Sequence, residues 1–593
     1  MGQKDVTVRF CGIAGDGIVT CGNIWSRACA HLGLDLMVND NFSAEIRGLG
    51  KSTTDIRVSP EKVLSMGDGI DVLVAMSGND SIAELPYVKP GGFVIFDCEP
   101  DSESVKAHVL SAHIPENVSA YPVPLTRFSN EAIRATIGRN IVSMGALSYL
   151  IGLKSEMFLE LIESKLSKKG EKVVSRNVDA FNLGRNYCRE QFGQHTSLDI
   201  PDGLDPQHLI TGNEAVAKGA LDCGLEFFAG YPITPATKIM EICATELPKL
   251  GGWMLQAEDE IAAISAVLGA WFAGKRSMTS TAGPGLALMS EMINMGVMSE
   301  VPLVIANVQR GGPSTGLPTK VEQGDLNIAM YGGSGDSPRV VMAPTTTEEC
   351  YTGIQLAFDL AEKYQTPVIF LSDLFLGQQS VINTIKPKKE RKRSTRIAPT
   401  EEQLEGYNRF TDTGSGVSPW IVPGEEGAYY SITGLEHSDT GNPNFDAGIH
   451  ERMQEKRARK FESMKADIPE PFVHGDEDAE IGLTCWGSPT GAILEGMNLA
   501  RAEGIKSKLI VSIMVNPQPE EHFQRFFDSC REIIIPEMNH SGQYAALMKS
   551  RYGIRPIEIH CPSVKLVSPN EIAEKIKEVH HERIAEAPRL TVV

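Results

Sequence analysis

Three short segments of the sequence combine residue types that suit the binding of a small carboxylate beside a group that an acid must activate. They are Tyr231-Pro232-Ile233-Thr234-Pro235, Glu258-Asp259-Glu260 and Val308-Gln309-Arg310. A guanidinium binds a carboxylate through two parallel hydrogen bonds, and a carboxyl removed from water holds a proton more readily. The sequence therefore predicts a site that binds an anion and transfers a proton.

Thr234 stands directly before Pro235, an order that is typical of a helix N-cap followed by the first helical residue. A plain cap is one interpretation of Thr234. In the other interpretation its hydroxyl and the neighbouring N–H groups receive a carboxylate, because a helix N-terminus offers unpaired donors and the positive end of the helix dipole.

Glu260 and Arg310 each allow a structural and a functional interpretation. Glu260 opens the apolar run Ile261–Trp271, where it either complements the helix dipole or, partly desolvated, exchanges a proton with a cofactor. Arg310 ends an apolar strand and enters Gly311-Gly312-Pro313, so it forms either a structural ion pair or a carboxylate ligand.

A further segment, Thr279-Ser280-Thr281-Ala282-Gly283-Pro284-Gly285, predicts a strand-to-helix turn. Glycines in such a turn let a ligand approach the backbone closely. Taken alone this motif has little specificity, since many α/β turns resemble it.

In their order and spacing these segments resemble the alpha subunit of the thiamine-diphosphate-dependent 2-oxoacid:ferredoxin oxidoreductases. The resemblance covers residues 210–385 and extends to 478–593 through Cys485-Trp486-Gly487-Ser488 and Pro536-Glu537-Met538-Asn539, followed by Gly542-Gln543. It implies that Glu260, within the Asp259-Glu260 pair, is the catalytic acid that shares a proton with the aminopyrimidine ring of thiamine diphosphate.

The same resemblance implies roles for other residues. Contact with the cofactor is expected from Tyr231, Pro232, Ile233, Glu260, Thr281 and Gly283. Substrate binding is expected from Thr234, Arg310, Thr319 and Lys320. The role of Lys320, which would meet a second carboxylate, is inferred from its charge alone.

The first 195 residues resemble the gamma domain of the same oxidoreductases, on the evidence of Gly12, Gly22 and the segment Glu45-Ile46-Arg47-Gly48. In that family the gamma domain lies near the coenzyme A site. Gly15-Asp16-Gly17, followed by Asn39 and Asn41, imitates a diphosphate–magnesium signature. We interpret it instead as the gamma-domain turn and predict no metal ligand on this chain.

Composition limits the classes of function. The chain has 593 residues and a formal net charge of −20, which argues against nucleic acid as a partner. Its eleven cysteines include no Cys-x-x-Cys pair, so a local iron–sulfur or zinc site is not expected. With no apolar run long enough for a membrane span, we expect a cytoplasmic protein whose thiols are reduced core residues.

Apolar strand patterns alternating with helical ones predict an α/β fold with several parallel-sheet domains. By resemblance, these include a pyrimidine-side thiamine-diphosphate-binding-like domain and a transketolase C-terminal-like domain. We expect a gamma-type domain at 1–195, a linker at 196–207, the pyrimidine-side domain at 208–385, an insertion at 386–475 and the last domain at 476–593. The basic run Lys386–Arg393 is interpreted as a solvated linker or as a phosphate-binding patch.

The chain is thus predicted to be a fused gamma–alpha subunit that is active only with a beta subunit. The beta subunit would hold Mg²⁺ and a 4Fe-4S cluster and share the thiamine diphosphate, and alpha–beta units would pair as dimers. The substrates would be 2-oxoglutarate, coenzyme A and ferredoxin, giving succinyl-CoA or running in reverse as reductive carboxylation. Pyruvate or branched-chain 2-oxoacids, another type of thiamine enzyme and a non-redox nucleotide-binding module are the alternatives.

Overall fold

The structure is a computed structural model that describes residues 5–13, 15–42, 50–198, 200, 205–387, 395–427, 429–561 and 565–586. The described residues of 1–210 and 379–384 form one compact unit, and those of 211–378 and 385–593 form a second. Glu45-Ile46-Arg47-Gly48 and residues 388–393 of the basic run lie outside the described residues.

The first unit is built on a mixed sheet. Its strands are β1 (Val6–Ile13), β2 (Asp35–Phe42), β3 (Lys51–Ser59), β4 (Ile70–Ala75), β5 (Val88–Asp97), β6 (Ser119–Val123), β7 (Leu209–Thr211) and, much later in the chain, β14 (Ser380–Ile382). They lie in the order β6-β5-β4-β1-β3-β2-β14-β7. The predicted parallel part is confirmed for β1, β4, β5 and β6, whereas β2 and β3 pair antiparallel and were not predicted.

The helices of this unit are α1 (Ile18–His31), α2 (Gly78–Ser81), α3 (Ser102–Ala107), α4 (Leu125–Ile133), α5 (Arg139–Leu150), α6 (Glu156–Leu166) and α7 (Glu171–Gln191). Two glycines set the crossing of α5 and α7. A Cβ atom on Gly145 would lie 1.9 Å from the carbonyl oxygen of Phe181, and one on Gly184 would lie 2.1 Å from that of Val142. Only residues without a side chain allow the two backbones to approach so closely.

The glycine turn at residues 15–17 is held by an ion pair. An Asp16 carboxylate oxygen lies 2.5 Å from Arg139 Nη2, and the other accepts the Ile13 N–H at 3.0 Å. Gly17, with φ +74°, is the N-cap of α1. Asn39 and Asn41 lie on β2. The carboxylate of Asp16 is bonded to Arg139 and to the Ile13 N–H within this turn.

The second unit contains a seven-stranded sheet. Its strands are β8 (Phe227–Gly230), β9 (Trp253–Gln256), β10 (Ser277–Thr281), β11 (Leu303–Gln309), β12 (Val340–Met342), β13 (Pro367–Asp373) and β18 (Met514–Asn516). The order is β18-β12-β13-β11-β10-β8-β9, and all neighbours are parallel except β18. Strands β11 and β13 are buried along their whole length, as their apolar sequences predict.

The helices beside this sheet are α8 (Gly212–Asp222), α9 (Thr237–Glu246), α10 (Glu260–Phe272), α11 (Gly283–Leu288), α12 (Ser290–Met298), α13 (Leu326–Tyr331), α14 (Thr347–Tyr364) and α15 (Leu374–Gln378). The predicted N-cap at Thr234 is wrong. Helix α9 begins at Thr237 with Ala236 as its cap, and residues 234–236 form a turn before the helix. Short 3-10 helices occupy Ile82–Tyr87, Thr136–Gly138, Ser167–Lys169, Pro248–Leu250 and Lys465–Asp467.

The remaining elements are α16 (Glu401–Leu404), α17 (Ala447–Met464), β15 (Phe472–Gly475), β16 (Ile481–Thr484), α18 (Thr490–Ala502), β17 (Lys508–Val511), α19 (Glu520–Asp528), β19 (Glu532–Glu537), α20 (Gln543–Tyr552), β20 (Ile557–His560) and α21 (Pro569–Glu586). Five strands form a sheet in the order β15-β17-β16-β19-β20. The predicted boundaries at 385 and 475 stay predictions, since both fall inside the second unit.

The apolar run Leu509–Val515 by itself predicts one strand, but the structure forms two strands there, β17 (Lys508–Val511) and β18 (Met514–Asn516). The chain bends after β17, where the Ser512 hydroxyl accepts the Met514 N–H at 3.0 Å. The following strand, β18, leaves the five-stranded sheet and pairs with β12 of the seven-stranded one. Among the described helices, none has the length and hydropathy that a membrane span requires.

Buried charges dock α17 inside the second unit. Lys456 and Lys460, one helical turn apart, both bind the fully buried Glu300, at 2.6 Å each. Arg409 donates to the carbonyl oxygen of Glu300 at 2.6 Å. Burial lowers the pKa of Lys460 to about 7, although the attraction of Glu300 acts to raise it. Burial acts to raise the pKa of Glu300, but the two lysines hold it well below its usual range.

Replacing Glu300 by Gln should destabilise the second unit strongly, because it leaves two buried lysines, Lys456 and Lys460, without their carboxylate. Breaking one partner of a buried ion pair costs about 3 to 5 kcal/mol. The midpoint of urea unfolding measures the effect. Glu462→Gln, which removes an exposed pair with Lys465, is the control and should cost less than about 1 kcal/mol. Equal shifts for the two variants would contradict the docking role of Glu300.

Candidate active site

The segments predicted to carry chemistry all follow carboxyl ends of parallel strands in one sheet. Tyr231–Pro235 follows β8, Glu260 follows β9, Gly283 follows β10 and Arg310 follows β11. These strands are neighbours in the order β11-β10-β8-β9. Parallel order brings their carboxyl ends to the same edge, which is where α/β sheets bind ligands.

Arg310 holds the loop that contains Thr234. Its Nη1 donates to the carbonyl oxygen of Thr234 at 2.7 Å. From the other side, Asn213 Nδ2 donates to the carbonyl oxygen of Pro235 at 3.0 Å. The backbone of the loop is therefore fixed, while Thr234 itself remains exposed at the edge of the sheet.

Arg310 is only 7% exposed. Its Nε is buried and makes no hydrogen bond within the described part of the chain. Burial lowers the pKa of Arg310, against the attraction of Asp325 and Glu260. A buried cation with an unused N–H is suited to an incoming anion, because the anion would satisfy both the charge and the donor.

Glu260 lies against the glycine turn after β10. It is the first residue of α10, whose cap is the Asp259 carboxylate accepting the Ala262 N–H at 2.8 Å. A Cβ atom on Gly285 would lie 2.8 Å from Glu260 Oε1 and 2.1 Å from Thr281 Oγ1. Gly285 is thus required by the close approach of these two side chains, and Glu260 is buried with 7% exposure.

Thr319 and Lys320 belong to a loop that closes onto the residues after Arg310. The Gly311 N–H donates to the carbonyl oxygen of Lys320 at 2.8 Å, and the Leu317 N–H donates to that of Gly311, also at 2.8 Å. Gly316 has φ +52°, and a Cβ atom there would lie 2.1 Å from the Gly311 oxygen. Within the described residues, the Lys320 ammonium makes no ion pair.

Asp325 is a carboxyl at this edge that the sequence did not single out as a site residue. It accepts a hydrogen bond from Asn307 Nδ2 at 2.8 Å, and its N–H donates to Gln309 Oε1 at 3.0 Å. Burial raises the pKa of Asp325 to about 6. A signal was present in β11: Asn307 and Gln309 interrupt an apolar strand, and buried amides need polar partners.

The two motifs of residues 478–593 form hydrogen bonds to the loop before α13, also within the second unit. Gln323 Nε2 donates to the Trp486 carbonyl oxygen at 2.8 Å, and Gln323 Oε1 accepts the Met538 N–H at 3.0 Å. Gln543 Nε2 donates to the Gly324 carbonyl oxygen at 2.9 Å. These bonds fix the position of Asp325, which follows directly in the chain.

Comparison with known proteins finds matches along most of the chain. A family model described as pyruvate flavodoxin/ferredoxin oxidoreductase, thiamine diP-binding, matches residues 218–456. A second, described as pyruvate ferredoxin/flavodoxin oxidoreductase, matches residues 7–187. The chain is 30% identical to 2-oxoacid:ferredoxin oxidoreductase 2, subunit alpha, of Aeropyrum pernix, over 93% of this chain and 94% of that protein.

Two other relatives are similar over nearly the whole length. The 2-oxoglutarate oxidoreductase subunit KorA of Mycobacterium tuberculosis is 33% identical over 93% of this chain and 87% of that protein. A solved structure of 2-oxoglutarate:ferredoxin oxidoreductase from Magnetococcus marinus is 38% identical, with a TM-score of 0.91 over 97% of this chain and 99% of that one. That structure holds 2-oxoglutarate, coenzyme A and succinyl-CoA.

Proposed function

The chain belongs to the family of 2-oxoacid:ferredoxin oxidoreductase alpha subunits, and on that premise we propose that it is the oxoacid-binding subunit of a 2-oxoglutarate:ferredoxin oxidoreductase. The reaction converts 2-oxoglutarate and coenzyme A to succinyl-CoA and CO₂, while two electrons pass to ferredoxin, or it runs in reverse. The observation that carries the proposal is the meeting of Glu260, the Gly283–Gly285 turn and Arg310 at one sheet edge. The relative from Magnetococcus marinus, with 2-oxoglutarate and coenzyme A bound, supports the choice of substrates.

The residues at this edge fit the aminopyrimidine side of thiamine diphosphate. Gly283 and Gly285 contribute no side chains to the turn, so polar groups approach its backbone closely, and Glu260 lies beside it with little exposure to water. Tyr231, Pro232 and Ile233 would line the same space from β8. When bound, thiamine diphosphate supplies the carbon nucleophile and the electron sink for decarboxylation. Glu260 would hold and return the proton of the ring, as a general acid–base does.

Arg310 would bind the 1-carboxylate of the oxoacid through its unmet Nε donor and a free Nη position. Thr234, fixed by its own carbonyl bond to Arg310, would add a hydroxyl donor. Thr319 and Lys320 would meet the distal carboxylate from the loop that closes onto Gly311. An oxoacid with two carboxylates would therefore use both cations, whereas pyruvate would use Arg310 alone.

We propose a separate beta subunit as the partner that covers this edge. Large apolar side chains are exposed on the helices that follow this edge: Ile261, next to Glu260 in α10, is 47% exposed, and Leu288, the last residue of α11, is 52% exposed. Exposed apolar groups of this size mark interaction surfaces. The beta subunit would bring the diphosphate-bound Mg²⁺ and the 4Fe-4S cluster, and alpha–beta units would pair as dimers that reduce ferredoxin.

Turnover of four 2-oxoacids tests the proposal. The chain, purified alone and with its beta subunit, is assayed for coenzyme-A-dependent reduction of ferredoxin or a dye with 2-oxoglutarate, pyruvate and two branched-chain oxoacids. We expect activity only in the complex, with the highest kcat/KM for 2-oxoglutarate. Faster turnover of pyruvate would overturn the substrate assignment, and turnover by the isolated chain would overturn the shared site.

Replacing Glu260 by Gln should lower kcat by about 10²-fold or more, because the amide cannot exchange a proton. The fold should be retained, since Gln has nearly the same shape. Glu258→Gln, an exposed acid two residues earlier, is the matched control and should keep nearly full activity. If the Glu260 variant kept more than about a tenth of the activity, its role as the acid would be excluded.

Replacing Arg310 by Met should chiefly weaken capture of the oxoacid. The loss of a desolvated charged hydrogen bond costs roughly 2 to 4 kcal/mol, which raises KM by roughly 30- to 700-fold. Arg310→Lys keeps the charge without the two parallel donors and should lie between wild type and Met. Steady-state kinetics with 2-oxoglutarate measure both, and an unchanged KM in the Met variant would remove Arg310 from the pocket.

A further inference from the structure

We propose that Gln323 positions the loop of residues 310–325 for oxoacids with two carboxylates, by filling the crevice between the carboxyl ends of β16 and β19. The proposal rests on the proposed function and deepens it, because it concerns the choice between 2-oxoglutarate and oxoacids with one carboxylate. Gln323 is fully buried and acts through Thr319 and Lys320, so it is a positioning residue.

The crevice belongs to the five-stranded sheet. Strand β16 lies between β17 and β19 and is parallel to both. The chain passes from β16 to β17 on one side and later reaches β19 on the other side. The carboxyl ends of β16 and β19 therefore border the position at which open α/β sheets bind their ligands. Trp486 follows β16, and Met538 and Asn539 follow β19.

Gln323 occupies this crevice through four hydrogen bonds. Its side-chain Nε2 donates to the Trp486 carbonyl oxygen at 2.8 Å, and its Oε1 accepts the Met538 N–H at 3.0 Å. Its backbone N–H donates to the Met538 carbonyl oxygen at 2.8 Å, and its own carbonyl oxygen accepts from Asn539 Nδ2 at 2.8 Å. An amide from a distant loop is thus bound where the sheet would bind a ligand.

A second amide holds the chain just after Gln323. Gln543 is the first residue of α20 and is only partly buried. Its Nε2 donates to the Gly324 carbonyl oxygen at 2.9 Å, and its Oε1 accepts the Asn327 N–H at 2.9 Å. Gln543 therefore supports the same segment from the surface without filling the crevice.

These bonds reach the substrate residues through a short length of chain. Only two residues separate Lys320 from Gln323, and an extended chain spans at most about 3.3–3.6 Å per residue. The Lys320 backbone is therefore tethered to the crevice. Arg310 is held differently, by its place after β11 and by its bond to the Thr234 carbonyl oxygen. Loosening Gln323 should thus weaken binding of a distal carboxylate and spare that of the 1-carboxylate.

The test compares substrates with two carboxylates and with one, on the complex with its beta subunit. In Gln323→Met the side chain keeps nearly the same length but loses both of its hydrogen bonds. We expect the KM for 2-oxoglutarate to rise about tenfold, because two hydrogen bonds that fix the loop are lost. The kcat, and the inhibition constant of pyruvate as a competitor of 2-oxoglutarate, should each stay within about twofold.

Gln518→Met is the matched control. Gln518 is also buried, but its amide bonds the hydroxyls of Tyr544 and Tyr552 and makes no contact with the loop. This variant should lower Tm without changing the KM for 2-oxoglutarate. A similar rise of KM in the control, or an equal loss of pyruvate binding in Gln323→Met, would indicate general loosening and overturn the proposal.

Gln543→Met provides a test that leaves the crevice filled. It should raise the KM for 2-oxoglutarate by a smaller factor, about threefold, with the pyruvate constant unchanged. An unchanged KM in Gln323→Met, or in Gln543→Met should the first variant not fold, would overturn this proposal and leave the proposed function intact. Failure of pyruvate to compete in the wild type would overturn the separate role of Arg310 and this proposal with it. Absence of any 2-oxoacid turnover by the wild-type complex would overturn the proposed function itself.

Discussion

Parallel order in the seven-stranded sheet is the constraint on which the site depends. Strands β8 to β11 run in the same direction, so the segments that follow them all emerge at one edge. Tyr231–Pro235, Glu260, Gly283 and Arg310 are separated by up to about eighty residues in the chain, and this single geometric rule brings them together. Helices α9, α10 and α11 lie in the connections between these strands and pack on the faces of the sheet.

Glycine then decides how closely these segments approach. Gly283 and Gly285 leave space that Asp325, Glu260 and Thr281 occupy, and Gly316 leaves space for the loop to close on Gly311. A Cβ atom on Gly283, Gly285 or Gly316 would lie 2.1 to 2.5 Å from a polar atom, and one on Gly311 would lie 2.8 Å from the Cβ of Leu317. The site is thus assembled by the absence of side chains as much as by their presence.

Buried charge is used in two different ways in the second unit. At Glu300 a carboxylate is bound by Lys456 and Lys460, and the cluster docks a helix. At Arg310 the guanidinium has no ion pair at bonding distance within the described residues, and its Nε makes no bond there. The first arrangement stabilises the fold because the carboxylate is already in place. The second leaves unmet interactions that a substrate can satisfy.

The sequence by itself determined the α/β class, and the resemblance of its motifs selected the segments that the structure brings to one sheet edge. These follow from apolar periodicity and from motifs in which each residue type has a local reason. Only the tertiary structure decided three things: the turn over residues 234–236, after which α9 starts at Thr237, the pairing of β18 with another sheet, and the position of Asp325 over Gly283. Each depends on a partner distant in the chain, such as β12 for β18 or Asn307 for Asp325, and local patterns carry no information on which distant groups will meet.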